Sequence, residues 1–375
     1  MTPILPVFRG RGVPVYVGVD GGASKALAVA VGFNEQRLAR VVARSGRIGY
    51  AREPGFRPVA LEQQLEERRS GKFRITEEER RRGRSIVRAV ARAIVRVTNP
   101  KRHAWVGLSL AGLKTPDGGG IAVCANGARM PEFASDLERE LRRSERPGIR
   151  LILPLSSDGY CSGLGELTRV NGRLRTVANA YYAGAGTGLA EAVKLDNALV
   201  SMDEVASWFP KAWEMEGWRH ERAEHEVSAS ALMHLYAGAW TSDGGMGNPL
   251  SAALRGEEHA RTALVQWARA WGRFVFRRLV DWATAMPNHP LQRVVIGQRA
   301  GIALAAPGLR SFFRIPLEQE FSRLARSARP KVGGYEDGDR LKRGFIVASP
   351  VLEVPAIGAA VLALAASTDG NQLRE

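Results

Sequence analysis

The pattern that most limits what this chain can fold into occurs twice. Residues 15–31, VYVGVDGGASKALAVAV, read as an apolar strand, a turn with two glycines and a second, alternating apolar strand. Residues 177–193, VANAYYAGAGTGLAEAV, repeat the plan. Glycines let a bound group approach the backbone closely, and the N–H groups of such turns can converge on an anion. The first turn adds Asp20, Ser24 and Lys25 to Gly21 and Gly22, and the second carries Gly184, Gly186, Thr187 and Gly188. A phosphate is the simplest guest for the first turn. Taken alone, the first hairpin reads more readily as an ordinary turn with a solvated lysine, so the rest of the chain has to decide.

Each hairpin heads an alternation of helix and strand. After the first come a strand at 37–45, an unusually long loop at 46–58, and a capping-box pattern, Thr76 with Glu79. Ile86, Val90, Ala93, Ile94 and Val97 then recur at helical spacing. A strand at 103–110, a helix at 130–143 and a strand at 150–158 follow. The second half adds a helix over about 259–285, a strand-to-helix join at 292–304, a strand at 345–350 and a closing apolar helix. The chain therefore reads as duplicated α/β, with domains at 1–156 and 157–375 and both turns facing one cleft.

The 375 residues, 45% of them hydrophobic, suffice for two cores. Two cysteines, Cys124 and Cys161, make neither a disulfide framework nor a four-cysteine metal site, which suits a reducing compartment. The opening MTPILPVFRGRG lacks a secretion pattern, and no segment approaches ~18 uninterrupted apolar residues, so a cytoplasmic protein without membrane attachment is expected. A net charge of +16 would suit a nucleic-acid partner only if clustered. The densest run, EEERRRGRS, pairs with itself by helical spacing, Glu77 and Glu78 preceding Arg81 and Arg82 by one turn. No nucleic-acid partner is expected, and anionic substrates are.

DGGASK at 20–25, AGLKTPDGGGIAVCANG at 111–127, LPLSSDGYCSGLGE at 153–166, AGAGTG at 183–188, VVIGQRAG at 294–301 and PAIGAA at 355–360 together resemble the ROK family of sugar kinases. That family belongs to the superfamily of actin, the Hsp70 chaperones and hexokinase, and the BadF-type ATPases and N-acetylglucosamine kinases are near relatives. The resemblance implies a duplicated actin-like ATPase (ribonuclease H-like) fold. It also implies a kinase that moves the γ-phosphate of ATP to a hydroxyl of a hexose or amino sugar. On this reading Asp20, Gly21, Gly22, Ser24 and Lys25 hold phosphates opposite Gly184, Gly186, Thr187 and Gly188, and Asp20 binds magnesium through water. Gly297, Gln298 and Gly301 pack on the adenosine. Asp158 is the general base, and Asn126, Ser157, Glu204 and Glu224 join it around the sugar. The competing reading of Asp158 is a helix cap. A homodimer is expected.

The departures are specific. Ser157 stands where the family has asparagine, and Gln298 and Arg299 stand where it often has glycines. In 203–218, DEVASWFPKAWEMEGW, only Glu204 matches the family's Gly-Glu-x-Gly-His, and no cysteine loop follows, so no structural zinc is expected. AEHEVSASAL at 223–232 supplies Glu224. His220 and His225 read as surface residues, and Trp208, Trp213 and Trp218 as core packing in preference to a sugar-stacking wall. Two rivals stand beside the kinase: a catalytically silent ROK-like sugar-binding regulator and a BadF-type ATPase. Only about 14 residues precede the first strand, too few for a helix-turn-helix, which weakens the regulator.

Overall fold

The computed structural model describes residues 14–51, 56–238, 248–328, 335–337 and 340–372. The opening segment 1–12 and the centre of the 46–58 loop, both read from sequence above, lie outside the described residues. The chain divides into two compact units, Met1–Gly172 with Glu353–Glu375, and Arg173–Leu352. The boundary thus falls after 172 instead of 156, and the end of the chain returns to the first unit.

The first unit is built on β1 (Val15–Gly21), β2 (Lys25–Phe33), β3 (Ala39–Gly49), α1 (Leu61–Ser70), α2 (Glu77–Val97), β4 (Ala104–Leu110), the short ribbon β5 (Leu113–Lys114) and β6 (Ile121–Val123), α3 (Phe133–Arg143), β7 (Ile149–Leu151) and α4 (Asp158–Thr168). Its sheet has the order β3-β2-β1-β4-β7. The hairpin strands pair antiparallel, and β1, β4 and β7 run parallel. The second unit holds β8 (Ala180–Ala185), β9 (Leu189–Leu195), β10 (Ala198–Val200), α5 (Glu224–Val227), α6 (Ala229–Ala237), α7 (Pro249–Leu254), α8 (Glu258–Ala285), β11 (Arg293–Gly297), α9 (Gln298–Ala305), α10 (Ile315–Ser327), the ribbon β12 (Glu336–Asp337) and β13 (Arg340–Leu341), and β14 (Ile346–Ser349). Its sheet order, β10-β9-β8-β11-β14, is that of the first unit, with the same antiparallel and parallel pairings. The duplication visible in the two hairpins extends to the whole sheet.

Local chemistry explains the elements. Thr76 Oγ1 accepts from Glu79 N at 3.1 Å while the Glu79 carboxylate accepts from Thr76 N at 3.1 Å, so the capping box starts α2 as its sequence predicts. Ile86, Val87, Val90 and Ile94 of α2 are buried in the core with Val17 and Val19 of β1. Fully buried Arg129 pairs with Glu67 of α1 at 2.5 Å and Glu79 of α2 at 2.7 Å, tying both helices to the segment after β6. The strand expected over 150–158 is only Ile149–Leu151; the chain leaves the ladder where Pro154 has no N–H to give. In the second unit, α8 buries Trp267, Trp271 and Trp282. Its fully buried Arg278 bonds Glu191 of β9, whose other oxygen accepts from Ala212 N at 2.6 Å.

The last helix, α11 (Val354–Gln372), lies on the first unit's sheet through glycines. A Cβ built on Gly18 of β1 would lie 1.7 Å from the Ala356 carbonyl oxygen, and one on Gly107 of β4 would lie 1.9 Å from that of Ala359. Gly358 makes the same approach to α4, 1.9 Å from the Cys161 carbonyl oxygen. These contacts are why α4 and α11 belong to the first unit. Among the described residues no helix is long and apolar enough to cross a membrane.

Candidate active site

The first turn joins β1 to β2, closed by Gly22 N donating to Lys25 O at 3.1 Å. A Cβ on Gly21 would lie 2.2 Å from Leu110 Cδ2 of β4, so a larger residue here would turn that side-chain end aside. The turn's carbonyls are tied into the protein: Ala23 O accepts from Arg82 Nη2 at 3.3 Å, and Ser24 O from Tyr50 N at 3.0 Å. The N–H groups of Ala23 and Ser24 and the Ser24 hydroxyl donate to no described residue. Arg82 also donates to Ala51 O at 2.6 Å and lies 5.4 Å from the centre of the Tyr50 ring. Arg82 therefore braces the first turn, where helical spacing had it pairing with Glu78; Glu78 instead meets Arg81 at 3.6 Å.

Two carboxylates flank this turn. Asp20 is the penultimate residue of β1 and Asp158 opens α4, both partly accessible. The N-cap of α4 is Ser157, whose hydroxyl accepts from Tyr160 N at 3.1 Å, while the carboxylate of Asp158, the first helical residue, accepts from Gly159 N at 3.0 Å. Burial, and then the Asp158 charge, push the Asp20 carboxyl up to about 7, against the opposing pull of Lys25 and Arg47. Lys114 reaches the same neighbourhood: its Nζ donates to Leu110 O at 2.7 Å and Gly112 O at 2.8 Å. Burial raises the thiols of Cys124 to about 11 and Cys161 to about 12, and both sense Asp158 and Lys114. These cysteines are neutral packing groups. Asn126 lies in the exposed turn after Cys124 and bonds that thiol through its backbone. Lys114, Arg82 and Arg47 went unrecognised in the sequence because nothing in their own spacing marks them; other elements bring them to the turn.

A stability prediction follows from Asp20. Its carboxyl ionises near 3.8 in the unfolded chain and near 7 in the fold, so stability held below 3.8 is lost as pH rises to 7. Asp20→Asn removes that loss. Thermal melting should show the variant more stable than wild type at pH 8 and nearly equal to it at pH 4; equal melting at both pH values would refute the coupling.

The second turn is simpler. Ala229 N donates to Gly186 O and Ser230 Oγ to Thr187 O, each at 2.8 Å, anchoring the turn's carbonyls to α6. The N–H groups of Thr187 and Gly188 donate to no described residue. Each unit thus offers a glycine turn with carbonyls tied down and two successive N–H groups left available. Beside this second turn, β11 ends at Gly297, where a Cβ would lie 2.2 Å from the Tyr182 hydroxyl oxygen. Gly301 packs on β14, where a Cβ would lie 2.4 Å from Ser349 O. Gln298 has the left-handed φ of +54°, a conformation that favours glycine.

The remaining residues lie in the segment between β10 and α6. Glu204 is exposed in a turn, and Glu224 is partly buried at the start of α5, its N–H on Ala212 O at 3.3 Å. Trp208 packs edge-on against Trp282 with centroids 5.8 Å apart, while Trp218 is 53% exposed. His220 is exposed and bonds Glu216 at 2.7 Å, and His225 is exposed as well. Among the described residues no group of three or more histidine, cysteine, aspartate or glutamate side chains is placed to hold a metal ion.

No protein-family model matches the chain, and no curated protein does. Solved structures do. A ROK family glucokinase from Streptomyces griseus, in complex with glucose and AMPPNP, is 17% identical with a TM-score of 0.57, over 94% of this chain and 99% of that one. A ROK hexokinase from Thermus thermophilus is 17% identical with a TM-score of 0.51, over 95% and 99%. A ROK family transcriptional regulator, a homologue of the E. coli MLC protein, is 13% identical with a TM-score of 0.53, over 96% and 80%. The chain has the fold of these proteins, the two-domain actin-like ATPase architecture expected from its motifs.

Proposed function

We propose that this protein is a ROK-type sugar kinase that transfers the γ-phosphoryl group of ATP to a hydroxyl of a hexose or amino sugar. The observation that carries the reading is the pair of turns. Each presents two successive N–H groups with no described protein partner, Ala23 with Ser24 and Thr187 with Gly188, and the first adjoins two interacting carboxylates. Phosphoryl transfer is mostly positioning and charge stabilisation, and backbone donors held rigid by their own carbonyls supply both. Lys25 adds positive charge beside the first turn.

Asp158 is assigned as the base that takes the sugar hydroxyl proton as its oxygen attacks; Asn126, Glu204 and Glu224 are the candidate sugar contacts, and Gly297 and Gly301 the adenosine contacts. The Ser157 hydroxyl serves by capping α4, which fixes where Asp158 starts. Asp20, a partly accessible carboxylate carrying the repulsion of Asp158, suits a hydrated divalent cation. Magnesium held there would neutralise the charge of the phosphates when ATP is bound.

The likeness to a regulator favours a second reading, a silent sugar-binding protein. A coupled ADP-release assay over hexoses, N-acetylhexosamines and anhydrosugars separates the two. Sugar-dependent ADP release on at least one acceptor is expected. Sugar binding without ADP release on any acceptor would overturn the kinase in favour of the silent protein.

A further inference from the structure

Gln298 holds an unfavourable backbone conformation while its side chain gains no hydrogen bond from any described residue. Its backbone is left-handed at φ +54°, a region costly for a side chain of this kind. Glycine would take the position without strain. Its partly accessible carboxamide makes no hydrogen bond to any described residue. Yet the side chain is not loose in solvent. Its Cγ lies 3.2 Å from where a Cβ of Gly184 would be, and its Oε1 2.7 Å from where a Cβ of Gly186 would be. The backbone of Gln298 also bridges that of Ala185, between these two glycines. The carboxamide is thus laid along the turn whose Thr187 and Gly188 N–H groups are available.

From this we infer that Gln298 is a ligand of the donor's phosphate chain, its carboxamide N–H₂ completing the donor set of the 186–188 turn. The inference rests on the nucleotide-binding part of the kinase reading and changes the part Gln298 plays in it, from a packing surface for adenosine to a phosphate contact. A carboxamide suits the task. It carries two donors, no charge to repel phosphate, and an oxygen that can turn away. The strained backbone is then retained because it aims the side chain at the turn. With glycine there, the side chain would be missing and the turn would bind phosphate through backbone alone.

Calorimetry without sugar tests this on wild type, Gln298→Gly and Gln298→Glu, with MgATP, inorganic tripolyphosphate and adenosine as separate probes. Gln298→Gly should melt no lower than wild type, yet bind MgATP and tripolyphosphate about tenfold more weakly, the worth of one hydrogen bond to a charged group. Adenosine affinity should not move. Gln298→Glu should weaken both phosphate probes further by placing a like charge on the turn. Unchanged tripolyphosphate affinity in Gln298→Gly overturns the inference, as does a loss confined to adenosine or a wild type that binds neither phosphate probe. Normal MgATP binding without phosphorylation of any sugar would overturn the kinase reading alone.

Discussion

Asp158→Asn is expected to lose about 10²-fold or more in turnover while binding MgATP and sugar much as wild type does. The substitution keeps the shape of the side chain and removes its capacity to take a proton. What makes the experiment decisive is the neighbouring residue. Because Ser157 supplies the cap of α4, the Asp158 change leaves that bond in place, and its effect on stability should be small. Two minor terms oppose each other: a carboxylate in the first turn of a helix is favoured by about 0.3–1 kcal/mol, and its repulsion with Asp20 works the other way. Ser157→Ala should show the reverse profile, losing about 1 kcal/mol of stability with the base intact. Turnover, melting and nucleotide affinity measured on the three proteins would separate base from cap. Full turnover in a folded Asp158→Asn protein would remove Asp158 from the chemistry.

The adjacency of Ser157 and Asp158 also marks a limit of reading sequence. Both residue types cap helices well, and which one does so depends on where the backbone turns helical. Here Ser157 is extended at ψ 150° and Asp158 is the first helical residue. By contrast, the Thr76 and Glu79 capping box was legible because both halves of the pattern stand in one short stretch. The two hairpins, and with them the duplicated architecture, were legible for the same reason. Arg82 shows the opposite case. Helical spacing says which side chains share a face, and it is silent on the loops that cross that face, so the reach of Arg82 to Ala23 and Ala51 could not be foreseen. Gln298 was visible as a departure from a glycine pattern, but only the structure reveals that it keeps the glycine's backbone conformation. The unit boundary was missed because it is set by contacts between elements far apart in the chain, such as Gly107 of β4 with Ala359 of α11.

Those contacts support the last prediction. Gly107→Val should destabilise the protein by about 3 kcal/mol or more, the upper end of what overpacking a core costs. Valine is a good strand residue, so β4 itself gains from the change. The loss comes from α11. A side chain at Gly107 meets the backbone oxygen of Ala359 at 1.9 Å, which no rotamer change relieves, and the helix has to move off the sheet. Moving it uncovers Ala356, Ile357 and Ala360, which are buried with Val29, Val31 and Ala39. Gly358→Val should act alike, by pushing α11 away from the Cys161 carbonyl of α4. Gly49→Ala is the control, since a Cβ there meets nothing within 4 Å and its cost should be within about 0.5 kcal/mol. Urea unfolding of the four proteins measures the difference. If Gly107→Val and Gly49→Ala unfold at the same midpoint, α11 does not hold the first unit together.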